Sequence, residues 1–312
     1  GAAGIINVVM KENEELKLSG VFNAMAGLRD KYKVDLLLNW NPGNFSIFAG
    51  GYFNNFNFFG DRSTYRETYR GDTTNILSNN GDVQFQRFGY NVKGGIGYDF
   101  SRKFSLNLEG RYGIMEFNRK ATGHVAQSYN PASITDYYLD KSQMSHNRDY
   151  YSASLDGNYK FDGEAHKIYS SLYFTNRNGG GDDSQYQLLT NENWRKIAED
   201  PDRVRSSEDG DEDNFRYKIY YTNKKNETTK FEAGFQTRID NEIEDFVFED
   251  YVPIQDQWVI NDRFSNEMDF RRDIYSVYSL YGSDLFGINY QLGLRGEYTY
   301  RDIALEKTED DY

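Results

Sequence analysis

The sequence predicts an all-β protein, an antiparallel transmembrane β-barrel of the outer-membrane type. Three observations carry this prediction. Apolar residues recur at every second position, short and long connections alternate along the chain, and aromatic residues make up 17% of the composition. The sequence contains no apolar run long enough for a membrane-spanning helix, which needs about 18 residues. A membrane span built from strands is compatible with all of these features.

The alternation is clearest at residues 88–100, 104–112 and 288–300. In the last of these segments, apolar residues from Ile288 to Tyr300 alternate with polar ones that include Arg295 and Glu297. Because successive side chains of a strand point to opposite faces, each of these strands has one apolar and one polar face. Weaker alternation raises the total to about eleven strands, at residues 16–28, 33–40, 45–53, 151–161, 167–175, 215–221, 231–239 and 274–281.

The connections between these strands alternate in length. After a very short first loop at residues 29–31, turns are predicted at 41–44, 101–103, 162–166, 222–230 and 282–287, and loops of about thirty residues or more at 54–87, 118–150, 176–214 and 240–273. An outer-membrane barrel has short turns at one rim and long loops at the other. Aromatic residues such as Phe100 and Phe104 flank the turns, as at a membrane interface. A soluble all-β protein remains the alternative.

Composition excludes several function classes. The absence of cysteine excludes disulfides, thiol nucleophiles and cysteine metal sites. The net charge of −13, without a basic stripe, argues against nucleic-acid binding. Three histidines, His124, His146 and His166, lack metal-ligand spacing, although His124 and His146 fall in one predicted loop and could meet there. We expect no enzyme, no metal and no cofactor.

The run at residues 1–11 is the most specific short segment of the chain. It resembles the last strand of the plug domain in TonB-dependent outer-membrane receptors, with Met10 where threonine is frequent, and the match lies at Gly4, Ile5, Ile6, Asn7, Val8, Val9 and Lys11. The abundance of tyrosine, asparagine and phenylalanine is similar to the Bacteroidota branch of that family.

The resemblance implies a domain division and an incomplete barrel. Residues 1–15 would be the C-terminal end of the plug domain with its linker, and residues 16–312 the N-terminal half of the barrel, with the long loops extracellular. Since the family's barrel has about 22 strands, about eleven strands would be half of it. The TonB box would lie in a preceding region, and the partners would be the TonB–ExbB–ExbD complex and outer-membrane lipid.

The same resemblance implies energy-coupled uptake of a scarce solute, such as a siderophore, haem, vitamin, glycan or peptide. A SusC-like importer capped by a surface lipoprotein is a variant. A non-coupled barrel with a role in adhesion or assembly is the alternative from another class, and a soluble carbohydrate-binding module is a third.

Two sets of candidate residues follow. Charged side chains on polar faces would contact the plug or line a solute path, and they include Lys93, Glu109, Arg111, Arg238, Arg295 and Glu297. Aromatic residues of the predicted outer loops could stack on a ligand or pack the loops together. They are Tyr65, Tyr69, Tyr129, Tyr137, Tyr138, Tyr186, Trp194, Tyr251 and Trp258.

Overall fold

The structure, a computed structural model, describes residues 18–132 and 134–306. Within these residues the chain forms one antiparallel sheet of twelve strands and a single 3-10 turn at Gly163–Ala165. The strands are β1 (Leu18–Gly27), β2 (Lys31–Trp40), β3 (Phe45–Arg70), β4 (Thr73–Asp99), β5 (Phe104–Asn130), β6 (Ile134–Lys160), β7 (His166–Thr190), β8 (Asp202–Lys224), β9 (Lys230–Val252), β10 (Gln257–Ile260), β11 (Asn266–Leu285) and β12 (Ile288–Glu306). The prediction of an all-β antiparallel fold is confirmed.

Strand order follows the chain, from β1 at one edge to β12 at the other, with the short β10 added to the end of β9. All eleven predicted strands are present in the predicted order, whereas β10 was not predicted. The pairing registers run without interruption from one strand to the next. The described sheet is not closed, because the outer edges of β1 and β12 pair with no other strand. The predicted plug end at residues 1–15 lies outside the described residues.

The expectation of long loops is wrong for most of the residues concerned. Strands β3 to β9 are 23 to 27 residues long, and they continue through the segments at 54–87, 118–150, 176–214 and 240–273. For example, β3 and β4 meet at a two-residue turn, Gly71 and Asp72. The sheet, which we call the wall, is therefore tall at β3 to β9 and low at β1 and β2, which have 10 residues each. We call the end with these strand extensions the tall rim and the opposite end the turn rim.

One face of the sheet is apolar next to the turn rim. Directly paired residues lie on the same face of a sheet, so the register places the alternating apolar residues of neighbouring strands side by side. A row across nine strands illustrates this face and consists of Ile47, Ile96, Leu108, Leu155, Leu172, Tyr217, Thr237, Tyr275 and Tyr298. The face is built to contact an apolar medium, since large apolar side chains such as Leu108 and Leu172 stay exposed.

Aromatic rings form a continuous girdle on this face at the turn rim. Each ring centroid lies 4.4–6.4 Å from the next. The girdle runs through Phe45, Tyr98, Phe100, Phe104, Tyr159, Phe161, His166, Tyr221 and Phe231. Aromatic residues favour the level where lipid meets water, because their rings are amphipathic. The predicted flanking of the short turns by aromatic residues is confirmed.

The sheet has almost no conventional core. Among the described residues, the buried apolar side chains are Val125 and Leu188, each 8% exposed. Buried polar residues are more numerous and include Asn214 and Asp240. No helix within residues 18–132 and 134–306 is long and apolar enough to cross a membrane.

Candidate functional site

The polar face carries a row of charged and hydrogen-bonding side chains, one from each of eight neighbouring strands. We call it the charged row. It consists of Lys93, Arg111, Ser152, Thr175, Asn214, Asp240, Arg272 and Arg301. The row lies at the height of the apolar face, since Asn214 and Asp240 directly neighbour Phe215 and Ile239 in sequence. The strands thus set charged groups on one side of the wall where the other side is apolar.

Asp240 is the centre of the best-connected cluster in this row. Arg272 donates to its Oδ2 from Nε at 3.0 Å and from Nη2 at 2.7 Å, and Arg238 donates to its Oδ1 from Nε at 2.8 Å. The side-chain amide of Asn214 also donates to Oδ1. Asp240 is 5% exposed and Asn214 is 2% exposed. Two guanidinium groups are therefore held together by one buried carboxylate across β8, β9 and β11.

In a second part of the polar face, the charged side chains form no ion pairs with one another. Lys93 and Arg111 are directly opposed on β4 and β5, and Glu109 lies on the same face two residues before Arg111. Together with Ser152 and Tyr173 they line a recess of about 180 Å³. Lys93, Glu109 and Arg111 form neither an ion pair nor a side-chain hydrogen bond with any residue in the described ranges. The recess thus presents two cations and one carboxylate, and none of the three forms an ion pair within the described ranges.

The structure places all six predicted lumen residues on the polar face. Lys93 and Arg111 belong to the charged row, while Glu109 and Arg238 lie two residues along their strands from it, on the side of the turn rim. Arg295 donates from Nη2 to Oε2 of Glu297 at 2.7 Å on β12. Sequence reasoning identified the face correctly, because alternation alone defines it. Their contact with a plug or a solute stays a prediction.

The predicted ligand-binding aromatic residues are not gathered in one place. All except Trp194 lie in strands rather than in loops. Tyr129 and Tyr138 are on the polar face, whereas the register puts Tyr65, Tyr69, Tyr137, Tyr186, Tyr251 and Trp258 on the opposite face. Ligand binding by this set stays a prediction, now divided between two surfaces.

Trp194 lies in the β7–β8 connection with a positive φ of 61°. Its ring packs on His124 of β5 at 4.5 Å and on Tyr137 of β6 at 5.5 Å. The connection therefore folds back over the face that continues the apolar one. Neighbouring Leu188 is buried on that same face.

Sequence reasoning missed a ladder of cations and rings near the tall rim. Lys141 lies 5.6 Å from the ring centroid of Tyr186, and the guanidinium of Arg203 lies 5.9 Å from Tyr186 and 4.6 Å from Tyr251. Arg205 continues the ladder over Trp258 at 4.5 Å. Each residue alone gives no signal, because the ladder exists only through the cross-strand register. Cation–π contacts of this kind stabilise the wall where it has no apolar medium beside it.

Acidic side chains dominate another part of the polar face above the charged row. Burial raises the pKa of Glu244, and the neighbouring carboxylates Glu208 and Glu242 raise it further, while Arg148 opposes them. At the β3–β4 tip, the hydroxyl groups of Tyr65 and Tyr69 both donate to Glu67 and hold its pKa below the usual value. Carboxylates are thus clustered in the strand extensions, at Glu244 on the polar face and at Glu67 on the opposite face.

The two histidines predicted to share a loop do not meet. His124 lies on the face of the apolar row, and His146 lies on the polar face, 3.8 Å from Asp183. No group of three or more metal-ligating side chains is found within residues 18–132 and 134–306.

Comparison with known proteins gives two findings. Residues 159–312 match the model of the outer membrane protein beta-barrel family. Eighteen chains of solved structures also match, among them BauA, the ferric preacinetobactin receptor from Acinetobacter baumannii, with 11% identity and a TM-score of 0.33. That alignment covers 94% of this chain and 62% of BauA, so the chain spans less than two thirds of it. No curated protein matches the chain.

The family match and the sheet together assign the fold. The chain forms part of an outer-membrane β-barrel. It is located in the outer membrane, and the unclosed sheet of the barrel is consistent with a partial wall. The apolar face of the barrel is its lipid-facing surface, and the polar face with the charged row is its lumen surface. The aromatic girdle marks one membrane interface of the barrel.

Proposed function

We propose that this barrel belongs to a TonB-dependent transporter, which takes up a scarce solute with energy supplied from the inner membrane. The observation that carries the proposal is the width of the sheet. Eleven strands carry the lipid-facing surface across the described residues, and both edges are still unpaired. Free edges are not tolerated in lipid, so the closed barrel needs further strands.

A closed barrel with many more strands than the eleven described fits the transporter class. Barrels of about 16–18 strands leave an aqueous channel, whereas those of about 22 strands enclose a plug. The resemblance of residues 4–11 to the last plug strand, directly before β1, supports the same class. A charged lumen surface supports it too, because a folded plug must find polar partners on the wall around it.

In this proposal the tall rim faces the outside of the cell. Short turns are periplasmic in outer-membrane barrels, and the longer connections are extracellular. The strand extensions of β3 to β9 would form a wall around the solute entrance, with Tyr129 and Tyr138 on its inner side. The partners would be the TonB–ExbB–ExbD complex, outer-membrane lipid and, in a capped variant, a surface lipoprotein.

Binding of the intact barrel to the purified periplasmic domain of TonB tests energy coupling directly. We expect saturable binding by surface plasmon resonance that depends on a segment preceding the plug. Absence of binding, with a known TonB-dependent receptor as the positive control, would reject the proposal in favour of a non-coupled barrel for adhesion or assembly.

Native mass spectrometry of the same barrel, extracted gently in detergent, distinguishes the solute classes. A retained small ligand would indicate the siderophore, haem or vitamin type. A stoichiometric lipoprotein would indicate the capped glycan or peptide importer.

A further inference from the structure

Above the charged row, the lumen surface has a strip without side chains. Gly179 of β7 and Gly210 of β8 are directly paired, and both are lumen positions. In the same cross-strand row, Arg148 of β6 pairs with Gly179, and Glu244 of β9 pairs with Gly210. A cation and a carboxylate therefore border a floor of bare backbone. We call this floor with its two borders the glycine slot.

The next row towards the tall rim repeats the arrangement. It places His146, Gly181 and Glu208 side by side on β6, β7 and β8. The ring of His146 occupies the space that a Cβ on Gly181 would fill, so this position accepts no larger residue without displacing the ring. Basic groups thus lie on the β6 side of the glycine slot, and carboxylates lie on the side of β8 and β9.

A recess of about 430 Å³ opens from the basic side of the glycine slot. Its lumen-facing lining consists of Asn54, Arg87, Met115, Phe117, His146, Arg148 and Glu208. Glu116 also borders the recess, but the register places its side chain on the opposite face. The recess therefore combines two guanidinium groups with one carboxylate.

The recess also offers apolar surface beside its cations. The guanidinium of Arg87 lies 5.7 Å from the ring centroid of Phe117, and this contact orients it. Met115 is 54% exposed although it lies on the polar face. These two apolar side chains can hold an uncharged part of a solute next to the charged groups.

The charged groups around the glycine slot are available to a solute. Arg87, Arg148, Glu208 and Glu244 form no ion pair with any residue in the described ranges. Arg148 lowers the pKa of Glu244, which burial and the nearby carboxylates raise, so the two borders interact across the slot without contact. Unpaired charges occur elsewhere on the wall, and here a bare floor separates charges of opposite sign.

We propose that the glycine slot binds an amphoteric solute, one that carries a cationic amine for Glu244 and Glu208 and an anionic group for Arg148 and Arg87. A ligand with a single charge is attracted by one border and repelled by the other, whereas a dipolar ligand gains at both. The glycines let its uncharged middle lie close to the wall. The inference rests on the proposed function in that the lumen must be the path of the solute.

The separation of the borders sets the length of this solute. Arg148 and Glu244 are three strand spacings apart, which amounts to about 14 Å. An extended tripeptide spans about 10 Å, and a hydrogen bond at each end adds about 3 Å. Its ammonium and carboxylate groups can therefore reach both borders at once.

Isothermal titration calorimetry of the intact barrel in detergent tests the inference, with trialanine as the probe. Acetylated trialanine lacks the cationic amine, and trialanine amide lacks the carboxylate. We expect trialanine to bind and each capped form to bind about tenfold more weakly, because each loses one charge-assisted contact.

Two variants assign each charge to its border. Arg148→Gln should lose the preference for trialanine over its amide and keep the preference over the acetylated form. Glu244→Gln should show the reverse pattern. A merely structural role of either residue would weaken all three ligands alike. The control is Asp245→Asn, which lies beside Glu244 on the opposite face and should leave all three affinities unchanged.

The other outcomes overturn the inference. These are equal binding of the three peptides, no binding of trialanine at millimolar concentration, and a preference that depends on one end of the peptide only. The last result would indicate a simple anion or cation site. TonB binding tests the proposed function separately, so a barrel that fails there and shows the crossed pattern would keep the solute site and lose only the energy coupling.

Discussion

Replacing Asp240 by alanine removes the counter-charge of two arginines at once. The carboxylate is 5% exposed and accepts hydrogen bonds from Arg238, Arg272 and Asn214. Removing one partner of a buried ion pair costs about 3–5 kcal/mol, because the remaining charge is left unpaired. The arginine side chains are 32% and 27% exposed, so water can solvate them in part. We therefore expect Asp240→Ala to lower the free energy of unfolding by about 3 kcal/mol.

The matched control is Asp245→Ala. Asp245 lies on the same strand five residues further along, on the opposite face, is exposed, and has no ion pair within the described ranges. A solvent-exposed change of this kind is usually within about 0.5 kcal/mol of neutral.

Urea unfolding of the intact barrel in lipid vesicles measures both variants, with the heat-modifiable band on unboiled gels as the readout. Asp240→Ala should lower the unfolding midpoint clearly, and Asp245→Ala should not. Equal midpoints for the two variants would refute the argument that Asp240 neutralises the arginines, and with it the lumen assignment of the charged row.

Three further changes follow from the structure. A Cβ on Gly180 would clash with the carbonyl oxygen of Glu208, so Gly180→Ala should separate β7 from β8 and speed proteolysis near the tall rim. Gly60→Ala is the control and should not, because there is open space around Gly60. Lys160 and Lys167 hold the pKa of Glu164 at about 2. Glu164→Gln should therefore lower the thermal midpoint at pH 7, and the difference should fade as pH drops from about 4.5 towards 2. Glu244→Gln should raise the thermal midpoint at pH 7, because the raised pKa of Glu244 means that its charged form opposes folding. This gain should vanish below about pH 4.5, and melting curves recorded across this pH range would show it.

The sequence predicted the membrane-spanning part of the wall well, and the reason is physical. Lipid requires an apolar residue at every second position, so residues such as Leu106 and Leu108 reveal both the strand and its faces. The same alternation identified Lys93 and Arg111 as lumen residues. These predictions need no knowledge of which strand pairs with which.

The strand extensions could not be predicted in this way. Beyond the apolar face both sides of the wall meet water, so the alternation disappears, as in the run of acids and glycine from Glu208 to Asp213. Backbone pairing with β7 and β9 makes this segment a strand, and that pairing is a long-range property. Composition alone made it resemble a hydrated loop.

The register also decides which side chains form a site. Tyr137 and Tyr138 are neighbours in sequence, yet the first packs on Trp194 and the second faces the lumen near Tyr129. Grouping aromatic residues by their position between predicted strands therefore mixed two surfaces. The cation–ring ladder from Lys141 to Trp258 was missed for the same reason.

Net charge describes neither surface of the sheet, because it averages over surfaces with opposite character. The chain carries −13 overall, yet the lumen at membrane height holds opposed pairs of cations. Acids such as Asp209 and Asp245 sit on the outer face of the strand extensions, where water solvates them at little cost. Others, such as Glu208 and Glu244, lie on the polar face above the charged row. In the lumen, Arg238 and Arg272 are instead paired with one buried carboxylate of the wall, Asp240. The face and the height at which each charged side chain lies therefore describe the lumen surface, and the net charge of the chain does not.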